Sequence, residues 1–140
     1  MSIKPLFPED MLDKATNSLS LDVIKAKLSY FELQAHEYHW QTTSLAEHLA
    51  LGDLYDLVFG LKDEIVEKIM GYAGVRVKAA KMEEVKNYTT GAPNQLVISI
   101  ISFAKQLEEF GETNDMPDIE NIAQSLSGAV AKIKYRLTLS

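Results

Sequence analysis

The sequence predicts an all-α fold, a single four-helix bundle, and three observations carry that prediction. Apolar residues recur at three- and four-residue spacing over four segments of the chain. Residues that start and stop helices stand at the ends of those segments. Nothing alternates with period two for long enough to build a sheet. At 140 residues the chain is one domain, long enough for a sizeable core but not for two. Four helices joined by short links bury their apolar stripes against one another, which makes a bundle.

Residues 1–19, MSIKPLFPEDMLDKATNSL, hold two of the four prolines and no sustained period. They read as an extended arm with a short helical turn near Asp10–Ala15, and residues 20–140 form the bundle. Ser20 is an N-cap, with Asp22 in the first turn where the helix dipole favours an anion. Val23, Ile24, Leu28, Phe31, Leu33, Ala35 and Tyr38 carry a first helix to Trp40. After Gln41-Thr42-Thr43, the run Ser44-Leu45-Ala46-Glu47 has the S-x-x-E form of a capping box and opens a second helix. That helix runs to Ala73, where Gly74 supplies the stop. The stretch Val75–Ala92 is mixed, with a charged segment, Ala79–Asn87, that reads as a small helix. Pro93 suits the first position of a third helix, with Leu96, Ile100, Phe103, Leu107 and Phe110 on its stripe. Gly111 and Asn114 end it. Pro117 opens a fourth helix whose stripe is Ile119, Ile122, Leu126, Val130, Ile133 and Leu137.

Composition narrows the function. The hydrophobic fraction of 46% and charged fraction of 24% are those of a soluble globular protein. No apolar run approaches the length of a membrane span, and no signal-like segment opens the chain, so no membrane partner is expected. The absence of cysteine excludes disulfides, thiolate metal sites and cysteine nucleophiles, and fits a cytoplasmic protein. A net charge of −6 argues against a nucleic-acid partner, which would call for a basic patch or tail. No nucleophile stands in a recognisable elbow and no glycine loop is built for phosphate.

The second helix carries more apolar surface than one face needs. With His48 at zero on a helical wheel, Leu51, Leu54, Val58, Leu61, Ile65, Ile69 and Tyr72 form the stripe toward the rest of the bundle. Tyr55, Phe59, Val66 and Met70 form a second stripe, and Gly52 lies within it. A helix covered on nearly all sides by its own bundle would explain this pattern. Four helices leave little to cover a second face, however, and the pattern points to a subunit interface. There Gly52 would let another backbone approach closely.

The same region holds the chemistry. All three histidines, His36, His39 and His48, lie within thirteen residues of one another, beside the only tryptophan, Trp40. Neutral imidazole is a common ligand of iron, zinc and copper. Asp63 and Glu67, one helical turn apart, can share an ion. Taken singly, each of these residues is ordinary: KDEIVEK is a solvated run with a Glu64–Lys68 pair, and a lone tryptophan is usually core. Together they suggest a metal site. Fifteen residues separate His48 from Asp63 on one helix, roughly 22 Å at 1.5 Å per residue, whereas a metal–ligand bond is about 2 Å. One chain cannot bring both ends to one ion. Two antiparallel copies related by a two-fold axis can, and they would form two sites.

At these residues the chain resembles the Dps family, the mini-ferritins that protect DNA in starved cells. The family pattern is a His–Trp pair ending the first helix, a histidine opening the second, then D-x-x-x-E followed by a basic residue. His39-Trp40, His48, Asp63 and Glu67-Lys68 stand in those places, and His36 falls where many members have a histidine. The resemblance covers most of the chain, with the specific part between His39 and Lys68. It implies a ferritin-like bundle, a homodimer within a homododecameric cage, and ferroxidase sites at two-fold interfaces that oxidise Fe(II) with hydrogen peroxide under oxidative stress. It implies His39 and His48 as iron ligands from one chain and Asp63 and Glu67 from the other, with Trp40 lining the site and zinc as a substitute metal. Three features depart from the family. Gly52 stands where an aspartate is usual, leaving Asp56 or, less well oriented, Asp53 as the nearby carboxylate. The link before His48 is shorter than usual, and the lysine-rich tail is absent. These departures make weakened oxidation the expectation, with a degenerate, non-enzymatic interaction protein as the alternative and a DNA-binding protein a more distant one.

Overall fold

The computed structural model describes residues 19–139, and among them the only regular structure is helical. Four long helices pack around one core: α1 (Leu21–Gln41), α2 (Leu45–Ala73), α3 (Ala92–Thr113) and α4 (Pro117–Arg136). A single 3₁₀ turn, Leu137–Leu139, follows. Of the arm expected over residues 1–19, only Leu19 is described, and it is buried; the turn at Asp10–Ala15 lies outside the described residues. No helix among the described residues is long and apolar enough to cross a membrane.

The helix ends follow their local chemistry. Ser20 caps α1, its hydroxyl accepting from the Val23 N–H at 3.3 Å. Ser44 does the same for α2 through the Glu47 N–H at 3.2 Å. The Glu47 carboxylate does not return to Ser44 as a full capping box would. It accepts instead from Thr42 Oγ1 at 2.6 Å and from the Tyr88 hydroxyl at 2.7 Å. Gly74 ends α2 in the left-handed region at φ 68, a conformation that costs glycine nothing. Pro117 sits in the first turn of α4, where its missing N–H is no loss.

The stretch after Gly74 is not helical, which corrects the helix expected over Ala79–Asn87. It lies extended along α1, and α1 side chains hold its backbone. Asp22 accepts from the Lys78 N–H at 2.7 Å, Lys25 donates to the Lys78 carbonyl at 2.8 Å, and Gln41 accepts from the Tyr88 N–H at 2.6 Å. Midway, Gln34 makes both bonds to one peptide unit: its Oε1 accepts from the Lys86 N–H at 2.8 Å and its Nε2 donates to the Lys86 carbonyl at 2.9 Å. The reason for the correction is reach. The crossover must travel from Asp22 to Gln41, roughly 28 Å of α1, between Lys78 and Tyr88. Ten helical residues would cover about 15 Å, and ten extended ones about 33 Å. Only the extended form arrives.

The order of contacts along α1 gives the topology. The crossover runs parallel to α1 and delivers the chain back to the α1–α2 turn. From there α3 runs in the same direction as α2, packed on α4 and against α1, and α4 returns antiparallel to both α2 and α3. Two antiparallel hairpins, α1–α2 and α3–α4, are thus joined by one long connection, and each hairpin packs far more extensively within itself than α1 packs on α3. Lys68 on α2 pairs with Asp118 at the start of α4 (2.8 Å), and Asp53 near the other end of α2 pairs with Arg136 at the end of α4 (2.6 Å).

The core joins all four stripes, with Ile24, Leu28, Leu51, Leu54, Ile65, Ile100 and Leu126 fully buried. Tyr72, expected on the inward stripe of α2, is exposed because it lies one turn beyond Lys68, where α4 begins. Gly111 does not break α3; the helix continues to Thr113, and Asn114 closes it. Its role is space. A Cβ at Gly111 would lie 2.8 Å from the Glu120 backbone nitrogen and 3.0 Å from the Met116 carbonyl oxygen, so the α3–α4 turn closes only over a bare Cα.

Two measurements test this account. Gly111→Ala is expected to lower unfolding free energy by about 1–3 kcal/mol through overpacking, read by urea denaturation. Gln34→Leu keeps the side-chain volume but strips the Lys86 peptide of both partners, and is expected to cost about 1–3 kcal/mol. Fast hydrogen exchange at the Lys86 amide should accompany it, and a wild-type exchange rate there would contradict the clamp.

Candidate metal centre

The α1–α2 turn brings the histidines together. His39 is in the last turn of α1 and His48 in the first turn of α2, and their rings stack with centroids 3.8 Å apart and planes 17° from parallel. Each ring bonds the backbone of the other residue: His39 Nδ1 lies 2.7 Å from the His48 carbonyl oxygen, and His48 Nδ1 lies 2.8 Å from the His39 carbonyl oxygen. A carbonyl only accepts, so both Nδ1 atoms must carry the proton. In the neutral rings both Nε2 atoms then keep a lone pair, which is the state a metal ligand requires. The pair also serves the fold, because the His39 carbonyl is one of the last four of α1 and has no partner within its helix.

Gly52 belongs to this arrangement. A Cβ there would lie 3.2 Å from His39 Cε1 and 3.3 Å from His39 Nδ1. The His39 ring rests against the bare Cα of α2, in the direction a side chain at 52 would take. The position that the Dps resemblance assigns to an aspartate is therefore filled by the imidazole of His39.

His36 stands apart from that pair. Its ring is 5.9 Å from that of His39, and it stacks between Tyr55 at 4.1 Å and Trp40 at 3.7 Å. Tyr55 in turn meets His39 edge-on at 5.3 Å. Five rings thus form one continuous cluster between α1 and α2. Trp40, which alone would be read as core, forms its outer end and is 64% exposed.

The carboxylates lie far along α2. Asp63 and Glu67 are both exposed, and the Glu67 carboxyl is pushed up from its usual range, first by a hydrogen bond shared with Asp63 and then by the Asp63 charge. Two carboxylates one helical turn apart are a pair whose repulsion a cation would relieve. Asp56 is exposed between the two groups, while Asp53 is engaged by Arg136. Lys68 does not touch the carboxylate pair; it bridges Glu64 at 3.0 Å and Asp118 at 2.8 Å, which raises its own pKa. No three histidine, aspartate or glutamate side chains among the described residues are grouped to hold one ion. The separation expected from helix length is what the structure has.

Stacking adds a constraint that spacing does not show. A metal binds an imidazole nitrogen in the plane of the ring. Two rings that lie nearly parallel at stacking distance hold their Nε2 lone pairs in separate planes. His39 and His48 in this arrangement do not converge on one ion.

The second stripe of α2 is mostly covered by its own chain. Val66 is buried in the bundle, Tyr55 is half-buried under His36, and Met70 is half-buried with its sulfur accepting from the Val77 N–H at 3.4 Å. Of the expected interface residues, Phe59 is the one left largely bare, at 60% exposed. Leu33 and Trp40 on α1 are also exposed, and Lys62, paired with Glu32 at 2.7 Å, lies over the Phe59 ring.

Gly52→Asp must shift the His39 ring by a few tenths of an ångström. It is expected to destabilise the fold by about 1–2 kcal/mol through crowding. It should also release the fixed tautomer of both histidines, read from the imidazole ¹⁵N shifts. Unchanged shifts would show that the ring does not depend on the missing Cβ.

Residues 39–137 match the model of DUF5856, a family of unknown function. Neither the curated proteins nor the solved structures contain a significant match. The matched region takes in the stacked histidine pair, all of α2, the crossover and both helices of the second hairpin. The chain belongs to the DUF5856 family, whose function is unknown.

Proposed function

We propose that this protein binds Fe(II) and oxidises it, with hydrogen peroxide as oxidant, at sites completed between two copies of the chain. The observation that carries the proposal is the reciprocal His39–His48 bonding. It commits both Nδ1 protons to backbone carbonyls and leaves each Nε2 as a ligand atom. The Asp63–Glu67 pair, whose mutual repulsion a cation would relieve, supplies the complementary half-site. Both half-sites lie on α2, and exposed Phe59 and Trp40 on the same hairpin give a second copy apolar surface to cover. The two hairpins joined by one long crossover have the connectivity of ferritin-like bundles.

In this reading His48 and His39 bind Fe(II) through Nε2 and the partner's carboxylates balance its charge. Two Fe(II) ions give up two electrons, and one hydrogen peroxide takes them with two protons to leave two waters. Because the stacked rings point their lone pairs into separate planes, one of them must turn, or each must hold its own ion. Either case weakens the site relative to converging ligands.

A second reading has its own observation. The His39 ring packs against the bare Cα of Gly52, which offers no carboxylate to complete the ligand set. A bundle that keeps the histidine pair as a helix-end clasp and has lost iron chemistry would look the same, and would act as an interaction or structural module.

Complementation separates the two. A His39→Ala/His48→Ala chain and an Asp63→Asn/Glu67→Gln chain should each lack peroxide-dependent Fe(II) oxidation. Unfolded together and refolded at equal concentration, half of the dimers would be mixed and each would hold one intact site, recovering about a quarter of wild-type activity. Wild type with no Fe(II) binding in an anaerobic titration would favour the structural module. A mixture without recovery would exclude the shared site.

A further inference from the structure

The crossover has two edges, and α1 uses only one of them. No turn or bend interrupts residues 75–89. In an extended strand successive residues turn their N–H and C=O groups to opposite edges, so residues of one parity share an edge. Lys78 and Lys86 each give both groups to α1 side chains, and Tyr88 gives its N–H. Lys86 and Tyr88, two apart on the same side, fit a period of two rather than the three of a polyproline helix. Ala79, Lys81, Glu83 and Val85 therefore turn their backbone groups away from α1.

That outer edge is open. From residue 79 to residue 85 no backbone N–H or carbonyl has a hydrogen-bond partner among the described residues. Such an edge is a template to which another extended chain adds through main-chain hydrogen bonds. The strip is also basic, although the chain carries a net charge of −6. Arg76, Lys78, Lys81 and Lys86 are exposed, and none forms an ion pair among the described residues. Against them stand Glu83, which accepts from the Tyr30 hydroxyl, and exposed Glu84. The cations thus lie toward the two ends and the carboxylates in the middle. Lysines on an edge oppose pairing with a second copy, because two such strips bring like charges together. An acidic chain meets no such barrier.

We propose that an extended segment of another protein, acidic at both ends and neutral in the middle, adds to the crossover as a second strand. Its backbone pairs with the outward groups of Ala79, Lys81, Glu83 and Val85, and its carboxylates lie toward the basic ends of the strip. The neutral middle is required because Glu83 and Glu84 stand there. Nothing in this site involves the histidines or Asp63 and Glu67, so it stands independently of the metal chemistry.

The test uses the full chain and the blocked peptide EETVTVEE as probe, followed by NMR-detected hydrogen exchange. Slower exchange is expected at the amides of Ala79, Lys81, Glu83 and Val85, and not at those of Ala80, Met82 and Glu84. Ala79→Pro removes an outward N–H and Ala80→Pro an inward one. Both residues are exposed and neither N–H is bonded within the protein, so both variants should fold as wild type does. Ala79→Pro should weaken binding about fivefold, the effect of one neutral hydrogen bond, while Ala80→Pro stays near wild type. The peptide KKTVTVKK, with the same middle and the opposite charge, should bind at least about tenfold more weakly at low salt. Absence of binding, or protection without the two-residue alternation, would overturn the proposal. So would equal affinity of the two proline variants, or equal binding of the lysine peptide. Protection that appears without peptide and grows with protein concentration would assign the edge to a second copy instead, and would overturn it too.

Discussion

The arrangement of this protein depends on the attachment of its crossover to α1. Five hydrogen bonds from Asp22, Lys25, Gln34 and Gln41 lay residues 78–88 along that helix in the direction in which the helix runs. From this the rest follows. The chain returns to the α1–α2 turn before starting α3, so α3 runs parallel to α2 and the second hairpin lies antiparallel against the first. The crossover lies along the side of α1 toward α3, where those two helices pack only sparsely. It leaves the other side of α1 to face α2 alone, and there the histidines gather. Tyr88, at the end of the strip, also reaches Glu47 and ties the crossover to the start of α2.

Most of the helical frame was legible from local chemistry. Ser20, Ser44 and Gly74 act where the sequence puts them, because capping depends on neighbours within four residues. Failures came where the deciding partner is distant in sequence. Ala79–Asn87 has helical composition, but the distance it must cover and the α1 side chains that satisfy its backbone make it extended. Gly111 looks like a stop when read alone, whereas its meaning is the closeness of Glu120 across the turn. The wheel gave α2 two apolar faces, of which Tyr72 on the first proves exposed and Val66 on the second buried. It could not show that the first hairpin itself covers Val66 and most of Tyr55.

The candidate site divides in the same way. The distance between His48 and Asp63 follows from helix length and needed no coordinates. The mutual bonding of His39 and His48 required them, since no spacing rule says that two rings will each choose the other's carbonyl. Gly52 shows the difference most clearly. In sequence it is a missing carboxylate; in three dimensions it is the recess that receives an imidazole. The arrangement thus links the ligand state of two histidines to the closing of the turn between α1 and α2. Any ion that pulled a ring out of the stack would work against a helix terminus.

Gln34 has a wider consequence. Fully buried, it presents to Lys86 the same donor and acceptor that a neighbouring β-strand would present, so one side chain acts as a rung of sheet in an all-helical protein. Few substitutes can do this. Glutamate offers only acceptors, and asparagine is one methylene short. The strip it holds has no ladder of its own and can settle only on an α1 that is already wound. The single amide of Gln34 thus ties the seating of the crossover, and with it the position of the second hairpin, to the helical state of α1.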